Sequence, residues 1–375
     1  MKTEIILSTT KLCVVILLAL PNFAKAENSE GNTTSEFRSV AFDKIPQILT
    51  MISDKVRSNY ERIKTWQGEL SVVTDYIYEG SAAERVFKTN TTSVGNVPKI
   101  VGEHRETIIE FSLDAEKDFL YANYRPIKPL QYMDLESGRE LGAKGILGRR
   151  RAIITPEYQL HCTGDTMRDG VVMSRKAVKK IREKEPTCTD TTTPVFDPRK
   201  SFEAGGPIWG TLSRVLQHID LQGEYSVDKY DLKMEKRTDG NTTEYRIVLP
   251  GKITATDYLF VTMIFSGEKG FNVTSFEVTD PNGRLLQKAT WDYALVDSIY
   301  LPSKTTEQHF ERENGQLRYD RISTFRNLWV NQPMPAETFT YKNLGLKNGD
   351  KFIDKILGEE YIYQDEALIP VSKEK

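Results

Sequence analysis

The sequence predicts an α+β protein: a curved antiparallel sheet forming a half-open β-barrel covered by amphipathic helices. Three observations predict it. Apolar residues recur at helical spacing in one long segment, from about 44 to 65. Directly after Trp66-Gln67-Gly68 the period changes to two. Through the C-terminal half, strand-like segments about ten residues apart are separated by short Gly- and Asn-containing turns, the pattern of an up-and-down meander.

The first element precedes the fold. Lys2 and Lys11 precede an apolar run from Leu12 to Leu20 interrupted only by Cys13, followed by Pro21 and the small-residue site Ala24-Lys25-Ala26. This is the layout of a cleavable secretory signal, residues 1–26, and the run is too short to span a bilayer at roughly 20 residues. Its loss would move the net charge from -2 to -4, since it holds three Lys and one Glu. The expected location is periplasmic or secreted, with no membrane span after signal cleavage. With 51 basic against 53 acidic residues spread along the chain, nothing suggests a nucleic-acid groove.

Residues 27–42 read as a polar, flexible leader. From Asp43, a plausible N-cap, Ile45, Ile48, Leu49, Ile52, Val56, Tyr60 and Ile63 align along one side of a helix, with Pro46 tolerated in its first turn. Leu70, Val72, Thr74, Tyr76 and Tyr78 then share one face of a strand. Further strands are expected at 85–94, 106–113 and 117–124, the second placing Ile109, Phe111 and Leu113 together. From about 134 to 206 the pattern is lost among Gly138, Gly142, Gly145, Gly148 and the cluster Arg149-Arg150-Arg151, which reads as an insertion. Within it Lys176–Lys184 is expected as a short helix, and another amphipathic helix follows at about 207–219. The later strands include Tyr258–Phe265, apolar on both faces and so expected to be central and covered on both sides. A single domain over 43–363 and a polar tail at 364–375 complete the organisation.

Cys162 and Cys188 remain after signal cleavage. In an oxidising compartment they are expected to form a disulfide, worth roughly 3 kcal/mol in the chain-entropy model. His104, His161, His218 and His309 are scattered, and no metal-ligand spacing, phosphate loop, dinucleotide fingerprint or nucleophile elbow occurs. No catalytic residue, metal or cofactor is expected, and the protein is expected not to be an enzyme; a secreted hydrolase built on two facing carboxylates is the third-ranked alternative. The Asn-x-Thr sequons at Asn32, Asn90, Asn241 and Asn272 matter only in a eukaryotic secretory route.

A curved sheet with one apolar face either fills its hollow with its own side chains or leaves room for an apolar guest. From their pattern, Trp66, Leu70, Val72, Ile109, Phe111, Phe260 and Phe265 are the candidate walls of such a cavity.

The helix-to-strand passage Tyr60, Ile63, Thr65, Gly68 resembles the opening of the LolA-like outer-membrane lipoprotein-sorting and carrier superfamily. Phe119-Leu120-Tyr121, Pro281-Asn282-Gly283, Pro302, Asn331-Gln332-Pro333 and Leu344-Gly345-Leu346-Lys347-Asn348-Gly349-Asp350 are similar to a branch of large secreted bacterial members. The resemblance implies an incomplete barrel closed by helices, whose cavity holds a lipid or lipoprotein acyl chain. It also implies the alternative of an envelope sensor that binds a protein partner with a filled interior. This chain is far longer than the compact carriers, chiefly through residues 134–206.

Overall fold

The computed structural model describes residues 36–128, 130–143, 149–164, 167–168, 171–172, 176–181, 232–252 and 258–371. The expected signal segment, the 207–219 helix and Cys188 lie outside these residues.

Strand β1 (Arg38–Ser39) lies in the segment expected as a flexible leader and pairs with β12 (Lys233–Asp239). After a 3-10 turn at Phe42–Lys44, helix α1 spans Ile45–Glu61. It buries Ile45, Leu49, Ile52 and Val56 at steps of four, three and four, as the spacing predicts. Lys44, rather than Asp43, holds the N-cap position, and no side chain caps it. The helix stops at Glu61, four residues before the expected end.

Strand β2 (Thr65–Glu79) runs directly into α2 (Gly80–Asn90). The expected strand at 85–94 is therefore corrected to the end of a helix. Gly80 takes φ +52°, which lets the chain turn out of β2, and Ala83, Val86 and Phe87 form one buried helical side. Strand β3 (Ile100–Asp114) pairs with the whole of β2. Its second half also pairs with β4 (Phe119–Pro126), and its first half with β5 (Gln131–Asp134), which carries β6 (Arg139–Glu140).

Residues expected as a patternless insertion supply β7 (Arg149–Ile154), β8 (Tyr158–Gly164), the small hairpin β9 (Met167–Arg168) and β10 (Val171–Val172), and β11 (Lys176–Ile181). Where a helix was expected over 176–184, β11 is a strand. It is held antiparallel by β8 and parallel by β19 (Lys351–Asp354), with Ala177 fully buried, and these tertiary ladders override local preference. The meander continues as β13 (Thr242–Lys252), β14 (Tyr258–Ser266), β15 (Asn272–Thr279), β16 (Leu285–Val296), β17 (Ile299–Phe310) and β18 (Leu317–Val330). The expected polar tail begins with the end of β20 (Glu359–Gln364) and continues as β21 (Ala367–Pro370), which closes the chain's last hairpin.

Nineteen of the described strands form one sheet, and β9 and β10 pair only with each other. Its path is β1, β12 through β18 in order, then β2, β3, β4, β7, β8, β11, β19, β20 and β21. Every pairing along it is antiparallel except β11 with β19, and the described strands leave the sheet open. Among the described residues no helix is long and apolar enough to cross a membrane.

The sheet carries a core on each face. On the inner face Ile45, Leu49, Ile52 and Val56 of α1 share one core with Trp66, Leu70, Ile109, Phe111, Leu113, Ile247, Met263, Phe265 and Phe325. The outer face of β4 and β7 carries a second core, in which Tyr121, Ile153 and Leu160 meet Phe339, Leu344, Leu346 and Phe352. Strand alternation divides the two: Leu120 and Ala122 join the first core, and Tyr121 between them joins the second. Arg151 also faces the second core and donates to the Leu344 carbonyl at 2.5 Å. Its guanidinium lies against Gly345, which takes φ +65° and has no room for a Cβ.

The Asn331 side chain ties together the link between α1 and β2. Its Oδ1 accepts from the Lys64 and Thr65 amides at 2.8 and 3.4 Å, and its Nδ2 donates to the Arg62 carbonyl at 3.0 Å. Thr65 Oγ1 donates to the Gln332 carbonyl at 2.9 Å. Asn331 sits at φ +55°, a conformation Asn tolerates better than most residues. Three residues after Thr65, a Cβ at Gly68 would lie 2.7 Å from Leu328 Cδ2 and 3.2 Å from Phe111 Cζ, so only glycine fits without displacement.

Candidate functional site: the inner face of the sheet

Six of the seven predicted wall residues lie on the inner face. Trp66, Leu70, Ile109, Phe111 and Phe265 are buried in the first core and Val72 packs against it. Trp66 meets Phe111 edge-on at 5.3 Å and stacks on Phe325 at 6.2 Å, so these walls are filled by one another. Phe260 is corrected: its neighbours Leu259 and Val261 pack on the core, and strand alternation points Phe260 to the opposite face, where it is half-buried. Strand β14 is central, between β13 and β15, but closely covered on one side only. Of the expected disulfide, Cys162 is buried in β8, and Cys188 lies outside the described residues.

Helix α1 is fastened to this face by a buried amide. Asn59 Nδ2 donates to the Tyr300 carbonyl at 2.9 Å while its Oδ1 accepts from the Tyr300 amide at 2.8 Å, so both ends are satisfied by one residue of β17.

Further along β2 and β3 the same face changes chemistry. The residues in register with the apolar positions become Thr74, Arg105, Arg321 and Glu307, and then Tyr132, Glu103, Tyr76, Tyr319 and His309. This belt separates the first core from a third, small one, in which α2 packs Ala83, Val86 and Phe87 against Val101, Tyr132 and Leu141. Glu103, with its side chain 1% exposed, pairs with Arg105 and accepts from Tyr78 Oη at 3.1 Å. Burial works against the Arg105 charge, and the Glu103 carboxylate beside it more than compensates. Burial, aided by that carboxylate, pushes the Tyr132 hydroxyl up to about 12 and raises Tyr78 as well.

On the neighbouring strands burial pushes the Glu307 carboxyl up. The hydrogen bond from His309 at 2.7 Å and the charge of Arg321 outweigh it, holding Glu307 below its ordinary range. Arg105 lies over the Tyr76 ring and Arg321 over Tyr319, each at 5.3 Å. The belt's acids and bases are therefore matched to one another.

A second break in the apolar face lies at the other end of the sheet. A groove of about 610 Å³ runs between β1 and the start of α1. Val40, Ile48 and Tyr245 line it, and all three belong to the first core or pack against it. Glu36, Arg38, Lys44, Lys236, Ser39 and Thr238 also line it. It thus joins an apolar wall to a polar, basic rim.

The sequence analysis missed both features. Their signal is charge in the inward register: on β3, Glu103 and Arg105 share the parity of Ile109 and Phe111, and on β12, Lys236 shares that of Met234.

No family model and no curated protein matches the chain. Several solved structures resemble it, among them the following two. One is a DUF1329 family protein from Desulfovibrio piger, with 11% identity over 79% of this chain and 98% of that one, at a TM-score of 0.33. The other is described as an outer membrane lipoprotein-sorting protein domain from Vibrio parahaemolyticus, with 10% identity over 78% and 97% and the same TM-score.

Proposed function

We propose that this is an exported, non-enzymatic binding protein that shelters an acyl chain on the inner face of its sheet. The groove between β1 and α1 carries the reading. Its volume falls within the roughly 300–1,000 Å³ of small-molecule sites, and its apolar wall is continuous with the main core. An acyl chain cannot cross water unshielded, since each exposed methylene costs about 0.8 kcal/mol, and burial with later release needs no covalent step. The guest's seat is this groove rather than the packed cluster around Trp66.

That packed cluster favours a second reading, an envelope sensor or protein-interaction module with a filled interior. Mass spectrometry of organic extracts from the purified full chain, together with titration by a fluorescent fatty acid, separates the two. Co-purifying lipid and saturable binding are expected. A clean extract with no saturable binding would leave the interaction module as the better account.

A further inference from the structure

The groove's rim has a feature that its apolar wall does not require. Arg38 on β1 and Lys236 on β12 are direct cross-strand partners, and Lys44 lines the same groove. Like charges directly opposite one another destabilise a ladder. Among the described residues none of these three side chains makes a salt bridge or a hydrogen bond. With Glu36, the fourth charged group there, the groove carries a net of two positive charges.

The opposite face of the same strands shows that this is not the local habit. There Arg237 pairs with Glu244 and Arg246 with Glu235, and both guanidiniums stack on Phe37 at 4.6 and 4.5 Å. Both arginines on that side have a carboxylate and a ring. The cations on the groove side have neither.

We infer that the groove selects an anionic amphiphile. The anionic head, a carboxylate or phosphate, sits among Arg38, Lys44 and Lys236, and the chain lies along Val40, Ile48 and Tyr245. This rests on the acyl-binding reading and adds its substrate class. An anion at the rim would relieve the Arg38–Lys236 repulsion, whereas a neutral head of equal length would leave it and add the cost of desolvating three cations.

The test uses the full chain with a fluorescent fatty acid as reporter, displaced by palmitate or by hexadecan-1-ol, which share a chain length and differ in charge. Palmitate is expected to bind about tenfold more tightly, a difference of about 1.4 kcal/mol spread over three partly exposed contacts. In the Arg38→Gln/Lys236→Gln variant that preference should collapse, because palmitate loses its counter-charges while hexadecan-1-ol escapes the desolvation of two cations, with the unliganded protein no less stable. Raising the salt concentration should weaken palmitate alone. Equal binding of acid and alcohol would overturn the inference and leave acyl binding standing. No displacement by either would remove both. Competition by inorganic phosphate as effective as palmitate would also overturn it, because the chain would then contribute nothing.

Discussion

Two places where charge enters the inner register are built in opposite ways. In the belt, Glu103 meets Arg105, Tyr78 and Tyr132, and Glu307 meets His309 and Arg321. In the groove, Arg38 faces Lys236, and among the described residues neither side chain makes a salt bridge. A matched network in a poorly hydrated place holds its strands in one arrangement, and its loss is expensive because the survivors are left unpaired. An unmatched pair does the reverse: it costs stability when empty and repays it when a counter-charge arrives. The belt therefore belongs to the fold, and the groove is the part we propose responds to a ligand.

Breaking the belt should give the largest effect. Glu103→Ala removes a carboxylate that is almost wholly buried and leaves Arg105, Tyr78 and Tyr132 without it. The expected loss is about 3 kcal/mol, the low end for a broken buried pair because Arg105 keeps about a third of its exposure. Urea unfolding monitored by tryptophan fluorescence measures it. A change below about 0.5 kcal/mol, within the range of ordinary surface substitutions, would mean the belt is not structural.

A comparison outside both regions calibrates that number. Asn331→Ala deletes the acceptor for two amides and a donor to Arg62, and places Ala at φ +55°. A loss of about 2 kcal/mol is expected from hydrogen bonds near 1 kcal/mol each plus left-handed strain, discounted for exposure to water. Asn331→Gly should recover the strain component and not the hydrogen bonds. Within the belt, Tyr78→Phe removes a single hydroxyl donor to Glu103 and should cost about 1.5 kcal/mol.

A smaller effect is expected behind the belt, on the outer face of β3. The hydrogen bond to Asp75 raises the His104 pKa above its ordinary 6.5, against burial, which lowers it, and Glu106 adds to the rise. A raised folded-state value contributes stability that is complete below the unfolded pKa and disappears as pH climbs through the folded one. The stability difference between the wild type and His104→Gln should therefore shrink from pH 6 toward pH 8. A difference that grows over that interval would contradict the assignment.

How much of this could be read from sequence follows the range of the interactions. Helix α1 and strand β2 were legible because each obeys its own period, and the Gly and Asn turns marked the hairpins. The stretches Tyr60–Gly68 and Asn331-Gln332-Pro333 each stood out, but that they touch is a contact across more than 260 residues, which no local pattern carries. Strand β11 was read as a helix because its neighbour β19 lies far along the chain. Helix α2 was missed where Ala83, Val86 and Phe87 give way to the Thr-rich Thr89–Thr92. Phe260 was put on the wrong face because Tyr258–Phe265 is apolar at every position but Thr262, leaving alternation nothing to distinguish. The belt and groove were passed over for a different reason: the faces were drawn from their apolar members, and charges of the same parity were set aside.

The smallest predicted effect separates the two regions most sharply, because it has the opposite sign. Lys236→Gln removes one of two like charges across a ladder and should leave the unliganded protein unchanged or more stable by a few tenths of a kcal/mol, the reverse of any belt substitution. High salt should erase even this gain, since the repulsion it relieves lies at the surface and is screened within about 10 Å at 0.1 M. If Lys236→Gln instead destabilises the chain as Tyr78→Phe does, then Lys236 has a structural partner, the rim is matched after all, and the groove loses its claim to a counter-charge.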